Sequence, residues 1–344
     1  MTFTLICFPM SVIMTIFANK TNEMERQQLD LTAFSEKIGK LRDQVKSVIV
    51  GQQKATDLML TCILADGHIL LEGVPGVGKT LMARLIARLI DSRFSRIQFT
   101  PDLMPSDVLG TTVFNAKTSE FDFHEGPAFG DIILADEINR APAKTQAALF
   151  EVMEERRADI DGVTHAMGPL YTIIATQNPV EQEGTYRLPE AQLDRFLMKI
   201  NMGYPTESEE VMILKRHQQV VSFTRLESIE PVMTKQELLD LRSLLKDVVV
   251  DDSILKYIVD IVQLSRKAKS VYLGASPRAS VAILQTSKAH ALLDGRDFVT
   301  PDDVKFVSPA VLCHRLMLTA EAEMEGFTPE KVAERILEKI EVPK

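Results

Sequence analysis

The sequence has no tryptophan, few cysteines and no excess of positive charge. Its three cysteines, Cys7, Cys62 and Cys313, are far apart, odd in number and outside any Cys-x-x-Cys or Cys/His cluster. This pattern supports neither a disulfide framework nor a zinc site, and it favours a reducing, cytoplasmic setting. With 39 Lys and Arg against 48 Asp and Glu, the formal net charge is −9. A generally basic nucleic-acid-binding surface is therefore disfavoured, although a local basic strip on a loop remains compatible with the composition.

Charged residues are absent from the first 18 positions. Residues 5–18 are apolar but too short for a confident membrane span, and Pro9 interrupts them. A secretory signal would require a basic residue before the apolar run, and none precedes Leu5. We favour Met24 as the true start, with the apolar leader at 1–23 an over-extended reading frame that is not translated. A membrane-tethering helix is the rival interpretation. Membrane contact is expected only through residues 1–18 or through a partner.

A glycine-rich loop lies between an apolar run at 68–71 and an amphipathic helical pattern at 81–90. It reads G-x-x-x-x-G-K-T, and its strand–loop–helix setting is typical of a phosphate-binding loop. Glycines allow successive backbone N–H groups to point at one anion, and the helix N-terminus adds further N–H groups. Lys79 is expected to reach the β- and γ-phosphates of a nucleotide, and the Thr80 hydroxyl to ligate Mg²⁺. The competing interpretation is a glycine turn that happens to precede a lysine. The predicted cradle comprises Gly73, Val74, Pro75, Gly76, Val77, Gly78, Lys79 and Thr80.

Polar side chains follow two apolar runs that read as strands buried on both faces. Asp136 and Glu137 follow the run at 132–135, and Asn178 follows the run at 171–176. In open α/β sheets, ligands bind at the carboxyl ends of the strands. We therefore predict that Asp136 holds Mg²⁺ through a water and that Glu137 orients and deprotonates the attacking water. Asn178 is either a turn residue or a side chain aimed at the γ-phosphate and its water.

Strand-like and helical runs alternate up to residue 205, and helical patterns follow. The predicted fold class is α/β: a parallel-sheet αβα nucleotide-binding domain over 24–205, then a smaller all-helical domain over 206–344. Thr234, Thr300 and Thr328 each precede acidic first turns and are expected to cap helices. A helix is also predicted over 188–196.

Two hairpins interrupt the alternation. Residues 110–114 and 120–124 alternate on either side of a polar turn, although a surface loop is the alternative there. The second hairpin is centred on Asp161-Gly162, a dipeptide typical of tight turns.

Taken together, these landmarks resemble the AAA+ ATPases, and within them the MoxR family. The resemblance is close over 48–278 and looser afterwards. The loop at 73–80 resembles the family's Walker A, residues 134–140 its Walker B and residues 176–179 its sensor-1 segment, with Asn178 the sensor. Residues 183–196 are close to the family's own signature, except that Arg187 stands where the family usually has proline.

The resemblance implies roles for further residues. Arg195 matches the arginine finger and Arg278 matches sensor 2. Val50 and Gly51 are included in the nucleotide-binding set, and the two hairpins correspond to inserts near a ring pore. The implied ligands are ATP and Mg²⁺, and no Asn-Lys-x-Asp motif for guanine follows the loop. A finger that enters a neighbour's site implies a homo-oligomeric ring, expected to be a hexamer.

By the same resemblance, the expected function is that of a chaperone-like ATPase that remodels, matures or activates protein complexes. Its partner is expected to carry a von Willebrand factor A domain. The alternatives are an ATP-driven nucleic-acid motor, which the acidic charge disfavours, and a nucleotide-switched scaffold. Intact Glu137, Asn178 and Arg195 argue against the scaffold.

Overall fold

A computed structural model describes residues 31–178, 186, 188–219 and 226–343. The leader at 1–23, the choice of Met24 as the start, and Arg187 lie outside these ranges. Among the described residues, no helix is both long and apolar enough to cross a membrane.

Helices and strands alternate through the first part of the chain. Its elements are α1 (Thr32–Val48), α2 (Gln53–Leu64), β1 (Ile69–Gly73), α3 (Lys79–Leu89), β2 (Phe94–Gln98), α4 (Pro105–Leu109), β3 (Gly110–Asn115), β4 (Glu120–Glu125), β5 (Ile132–Asp136), α5 (Ala143–Glu155), β6 (Arg157–Ile160), β7 (Val163–Ala166), β8 (Thr172–Gln177), α6 (Glu190–Leu193) and β9 (Met198–Met202). The second part contains α7 (Glu207–Gln219), α8 (Lys235–Ser243), α9 (Asp252–Lys267), β10 (Val271–Leu273), α10 (Pro277–Leu293), α11 (Pro301–Leu312), β11 (Met317–Leu318), α12 (Ala320–Met324) and α13 (Pro329–Lys339).

Five parallel strands form the central sheet in the order β2-β5-β8-β1-β9. The apolar runs at 132–135 and 171–176 become its neighbouring strands β5 and β8, which are almost entirely buried. Helix α3 packs on one face of the sheet and α5 on the other, each within its own apolar cluster. The strand register sets Gln98 beside Asp136 and Ala135 beside Ala175. The polar residues at these strand ends therefore share one edge of the sheet.

Both predicted hairpins are confirmed. Strand β3 pairs antiparallel with β4, and β6 pairs with β7. In the second turn Asp161 and Gly162 both have positive φ, of 50° and 81°, the conformation of a type I′ turn. The hairpins also touch each other, since the rings of Phe123 and His165 stack with centroids 4.0 Å apart.

Among its described residues, the second part of the chain is helical apart from an isolated bridge between Val249 and Phe298 and one small sheet, in which β10 pairs antiparallel with β11. The expectation of a purely helical domain misses this pair. A Cβ on Gly274 would lie 2.6 Å from the Cα of Arg266, so only glycine lets the chain pass this close to the end of α9. All three threonines stand at helix N-caps, and two cap with their side chains: the Thr234 hydroxyl accepts from the backbone N–H of Glu237, and that of Thr328 accepts from Lys331. The Thr300 hydroxyl instead donates to the Asp303 carboxylate.

The helix predicted over 188–196 is wrong in extent, because only Glu190–Leu193 is helical. Pro189 has the extended backbone of an N-cap residue, so the helix begins after it. At the other end, the carboxylate of Asp194 accepts hydrogen bonds from Arg315 and Arg278. Phe196 is fully buried, and the chain then enters β9. These contacts outweigh the helical pattern after one turn.

Candidate functional site

The glycine-rich loop joins β1 to α3 and has the backbone of an anion cradle. Gly76 and Gly78 have φ of 87° and 91°, values that favour glycine. Apart from the adjoining residues, no atom lies within 4 Å of where a Cβ of either glycine would stand, so the loop is uncovered at both positions. The Lys79 ammonium donates to the carbonyl of Gly73 and lies 3.5 Å from that of Gln177. The loop therefore presents N–H groups and a folded-back ammonium to one space, which is a fitting site for phosphates.

A cavity of about 650 Å³ adjoins this loop, a volume within the range of small-molecule sites. Val50, Gly76 and Gly78 line it. Gly51 is not among the described residues that line it, and its φ of 72° favours glycine in the turn after Val50. Apolar side chains together with the phosphate cradle fit a nucleoside phosphate. The remaining lining residues are Ser47, Val48, Ile49, Gln52, Pro75, Val77, Leu81, Tyr204, Pro205, Glu210, Ile213 and Arg216.

Asp136 lies at the end of β5, buried and facing the start of α3. The Thr80 hydroxyl is 3.5 Å from its Oδ2 atom, and the Thr176 hydroxyl donates to its Oδ1 atom at 2.6 Å. Thr176 also accepts from the backbone N–H of Glu137 at 2.9 Å, which fixes the start of the turn after β5. A hydroxyl and a carboxylate oxygen facing each other are a donor set that suits Mg²⁺.

Glu137 stands in the left-handed region, with φ 57° and ψ 48°. Its Oε2 atom accepts from the Gln98 side-chain amide at 3.0 Å and lies 3.3 Å from Nε of Arg140. The carboxylate is thus held by two donors at the edge of the sheet. Asn178 follows β8 and is 7% exposed, next to the strand that carries Asp136.

Arg96, on the edge strand β2, has no role in the sequence-based prediction. Its guanidinium contacts Asp136 Oδ2 through Nη2 at 2.6 Å and through Nε at 3.2 Å. Nη2 also donates to the side-chain carbonyl of Gln98 at 2.7 Å. Arg96 and Gln98 are two residues apart on a strand, and this alternation was the signal that both lie on one face. Which strand lies beside them was not readable from the sequence.

Arg195 and Arg278 lie together at a second cavity of about 560 Å³. Neither is among the described residues that line the first cavity. Arg195 forms an ion pair with Glu154 and donates to the Phe150 carbonyl at 3.1 Å. Arg278 is 78% exposed and lies 3.3 Å from the Asp194 carboxylate. The predicted site residues therefore form two groups: the loop with the acidic pair and Asn178, and the two arginines.

Arg315, which sequence reasoning missed, connects the helical second part of the chain to the segment around Asp194. Its side chain is only 6% exposed and donates to Asp194 Oδ1 at 2.7 Å and to the Phe196 carbonyl at 2.8 Å. Burial lowers the pKa of Arg315 from its ordinary value, and the hydrogen bond to Asp194 opposes that shift. No local pattern marks this arginine, because Asp194 and Phe196 are more than a hundred residues away from it in the sequence.

Comparison with known proteins agrees with this geometry. A sequence profile of the ATPase family associated with various cellular activities (AAA) matches residues 68–198, and a profile of the AAA lid domain matches residues 263–340. Chaperone MoxR1 of Mycobacterium tuberculosis is 45% identical over 314 residues, which are 87% of this chain and 81% of that protein. The chain belongs to the MoxR family of AAA+ ATPases. Among other MoxR-type sequences, the protein MoxR of Methylorubrum extorquens is 29% identical over 86% of this chain and 91% of its own length.

Two further relatives extend the match. The protein YeaC of Bacillus subtilis is 48% identical over 89% of this chain and 95% of its own length. A crystal structure of a candidate ATPase from Cytophaga hutchinsonii superposes with a TM-score of 0.84 at 38% identity, over 96% of this chain and all of that one. The predicted class, a parallel-sheet AAA+ domain followed by a lid domain, is thus confirmed. The boundary near residue 205 stays a prediction.

Proposed function

We propose that this MoxR-family protein is a Mg²⁺-dependent ATPase that remodels or activates partner protein complexes. One observation carries the enzymatic part. The lysine of the phosphate loop, the threonine hydroxyl and both carboxylates converge at one edge of the sheet, beside a cavity of nucleotide size.

The chain's own groups divide the work. The loop N–H groups and Lys79 hold the β- and γ-phosphates. Thr80 and Asp136 would hold Mg²⁺, which neutralises charge that develops on the phosphate oxygens. Glu137, once released from its resting hydrogen bonds, orients a water and takes its proton. Asn178, at the end of the strand next to β5, is suited to donate to the water or to the γ-phosphate.

Arg195 and Arg278 act, in this proposal, on the nucleotide of a neighbouring copy. The exposure of Arg278, whose side chain is 78% accessible, supports this role. A guanidinium near the γ-phosphate accelerates transfer by several powers of ten, so hydrolysis would depend on assembly. From the resemblance to AAA+ proteins, the expected assembly is a homo-hexameric ring. Its expected location is the cytoplasm.

The remodelling part rests on the family. A close relative is named a chaperone, and the family resemblance implies a partner with a von Willebrand factor A domain. Stimulation assays separate the alternatives. Faster turnover with a protein partner supports remodelling, faster turnover with DNA or RNA supports a motor, and no response to either supports a switched scaffold.

Calorimetry tests the nucleotide site directly. Wild-type protein is expected to bind ATP with Mg²⁺, and Lys79→Ala to lose this binding because the main charge facing the phosphates is gone. Glu137→Gln is expected to bind ATP but not hydrolyse it. Unchanged affinity in Lys79→Ala would contradict the assignment of the loop. Proteins that co-purify with Glu137→Gln are then candidates for the partner.

A further inference from the structure

Arg96 occupies the oxygen of Asp136 that the proposed Mg²⁺ site needs. Oδ1 of Asp136 accepts from the Thr176 hydroxyl, at 2.6 Å. Oδ2 is the atom that faces the Thr80 hydroxyl, and it is also the atom on which Arg96 places two N–H groups. A carboxylate oxygen has room for about two good partners. The guanidinium and a magnesium-bound water therefore require the same lone pairs.

Charge sharpens this conflict. A divalent cation beside Thr80 would bring two positive charges close to a guanidinium that is always protonated. The two cations repel, and only one of them can use Oδ2 fully. Asp136 is buried, so water screens this repulsion less than at an open surface.

Arg96 can leave Oδ2 without losing all its partners. Nη2 also donates to the Gln98 side-chain carbonyl at 2.7 Å, and the Arg96 side chain is 48% exposed. Water can therefore replace the lost carboxylate contact.

We propose that Arg96 is a positioning residue that competes with Mg²⁺ for Oδ2 of Asp136 and thereby weakens metal binding at the nucleotide site. In the absence of metal it neutralises the buried carboxylate and keeps its orientation. This inference rests on the proposed function, because it takes Thr80 and Asp136 as the metal-binding pair.

The test measures metal binding rather than turnover. Mn²⁺ serves as the probe, followed by electron paramagnetic resonance in the presence of a saturating non-hydrolysable ATP analogue. In Arg96→Ala the competing cation is gone, so we expect the Mn²⁺ dissociation constant to fall about two- to fivefold, the range of a partly exposed ion pair. Arg96→Lys keeps the charge and should stay close to wild type. Arg93→Ala is the matched control. Arg93 directly precedes β2 and carries an equal charge, but its ion pair is with Glu125.

The remaining outcomes are distinct. An unchanged or weaker Mn²⁺ affinity in Arg96→Ala would overturn the proposal, provided that circular dichroism shows the variant folded. A loss of nucleotide affinity in the presence of EDTA would also overturn it, because Arg96 would then be a phosphate ligand. If Arg96→Ala does not fold, a wild-type Mn²⁺ affinity in Arg96→Gln would decide against it in the same way. If the wild type itself binds no Mn²⁺ with the analogue, the proposed function fails and the inference falls with it.

Discussion

Two side chains, Gln98 and Arg140, hold Oε2 of Glu137. In the proposed mechanism these contacts compete with the water on which the carboxylate would act. Because Gln98 is neutral and Arg140 charged, the amide is the partner whose removal disturbs the local charge least.

At the residue scale we therefore predict that Gln98→Ala raises turnover in the absence of any partner. The loss of one neutral hydrogen bond, about 0.5–1.5 kcal/mol, corresponds to a gain of roughly two- to tenfold in the free carboxylate. Steady-state phosphate release measures it. Gln236→Ala, which removes an amide from an exposed helix position, is the control. Slower turnover in Gln98→Ala would mean that the amide assists the chemistry instead.

The residues of the phosphate loop and the acidic pair could be found from the sequence because their signals are local. Lys79 and Thr80 belong to one continuous motif, and Asp136 and Glu137 follow one apolar run. Arg96 and Gln98 were not predicted, because their contacts depend on β2 lying beside β5. A single sequence does not show which strands are neighbours in the sheet.

At the scale of single elements, the start of α11 is tied to the end of α10. The carboxylate of Asp303, which is 1% exposed, is hydrogen-bonded to His290, Arg296 and the backbone N–H of Thr300. Burial by itself raises the pKa of Asp303, but the hydrogen bonds from Arg296, His290 and Thr300 outweigh it and hold this pKa well below its ordinary value. The ionised form is therefore strongly favoured in the folded lid.

Asp303→Asn is expected to destabilise the protein by about 3 kcal/mol at pH 7, because it leaves buried donors facing a neutral amide. A carboxyl whose pKa is lowered in the folded state contributes stability that is complete above its unfolded pKa, near 3.9. This contribution is lost as the pH falls from that value through the folded-state pKa. The difference from wild type should thus shrink below pH 4. Urea unfolding at pH 7 and at a pH below 4 checks this. The variant Asp302→Asn, at an exposed neighbouring position, is the control. A constant difference would contradict the ionic explanation.

The first hairpin depends on a glycine at its base. Gly110 has φ 98°, and a Cβ there would stand 2.2 Å from the carbonyl oxygen of His124. Gly110→Ala should therefore loosen the pairing of β3 with β4, seen as faster amide hydrogen exchange over 110–125. Gly39→Ala, in the middle of α1 with no atom within 4 Å of the new Cβ, should leave the hairpin unchanged and stabilise the helix. Equal exchange in Gly110→Ala and wild type would refute the prediction.

Prediction of elements succeeded where a long pattern or a turn signal was present, as in α2 and the Asp161-Gly162 turn. It failed for α6, where long-range contacts of Asp194 end the helix, and for the β10–β11 pair. A three-residue strand paired with a two-residue one leaves too short a period to recognise.

At the scale of the whole molecule, the proposed finger can be tested by mixing two inactive variants. Arg195→Ala keeps its own loop and acidic pair, and Glu137→Gln keeps its finger. If Arg195 acts across an interface, mixed rings contain sites with an intact Glu137 facing an intact Arg195. Phosphate release should then reappear on mixing, although neither variant works alone.

Native mass spectrometry must show that the two variants co-assemble. Co-assembled mixtures that stay inactive would mean that Arg195 serves its own subunit's nucleotide. Mixtures of Arg195→Ala with Lys79→Ala supply a second pairing in which the same recovery is expected.

The buried guanidinium of Arg315 has a mechanical consequence. It connects the lid to the carboxylate of Asp194 and to the carbonyls of Phe196 and Leu197. Arg195 lies inside that segment, so its backbone shares a support with the lid, while its guanidinium stays on Phe150 and Glu154 of α5. Separating the lid from this segment would leave a buried guanidinium unpaired, so the cost of that charge keeps the two parts of each subunit together.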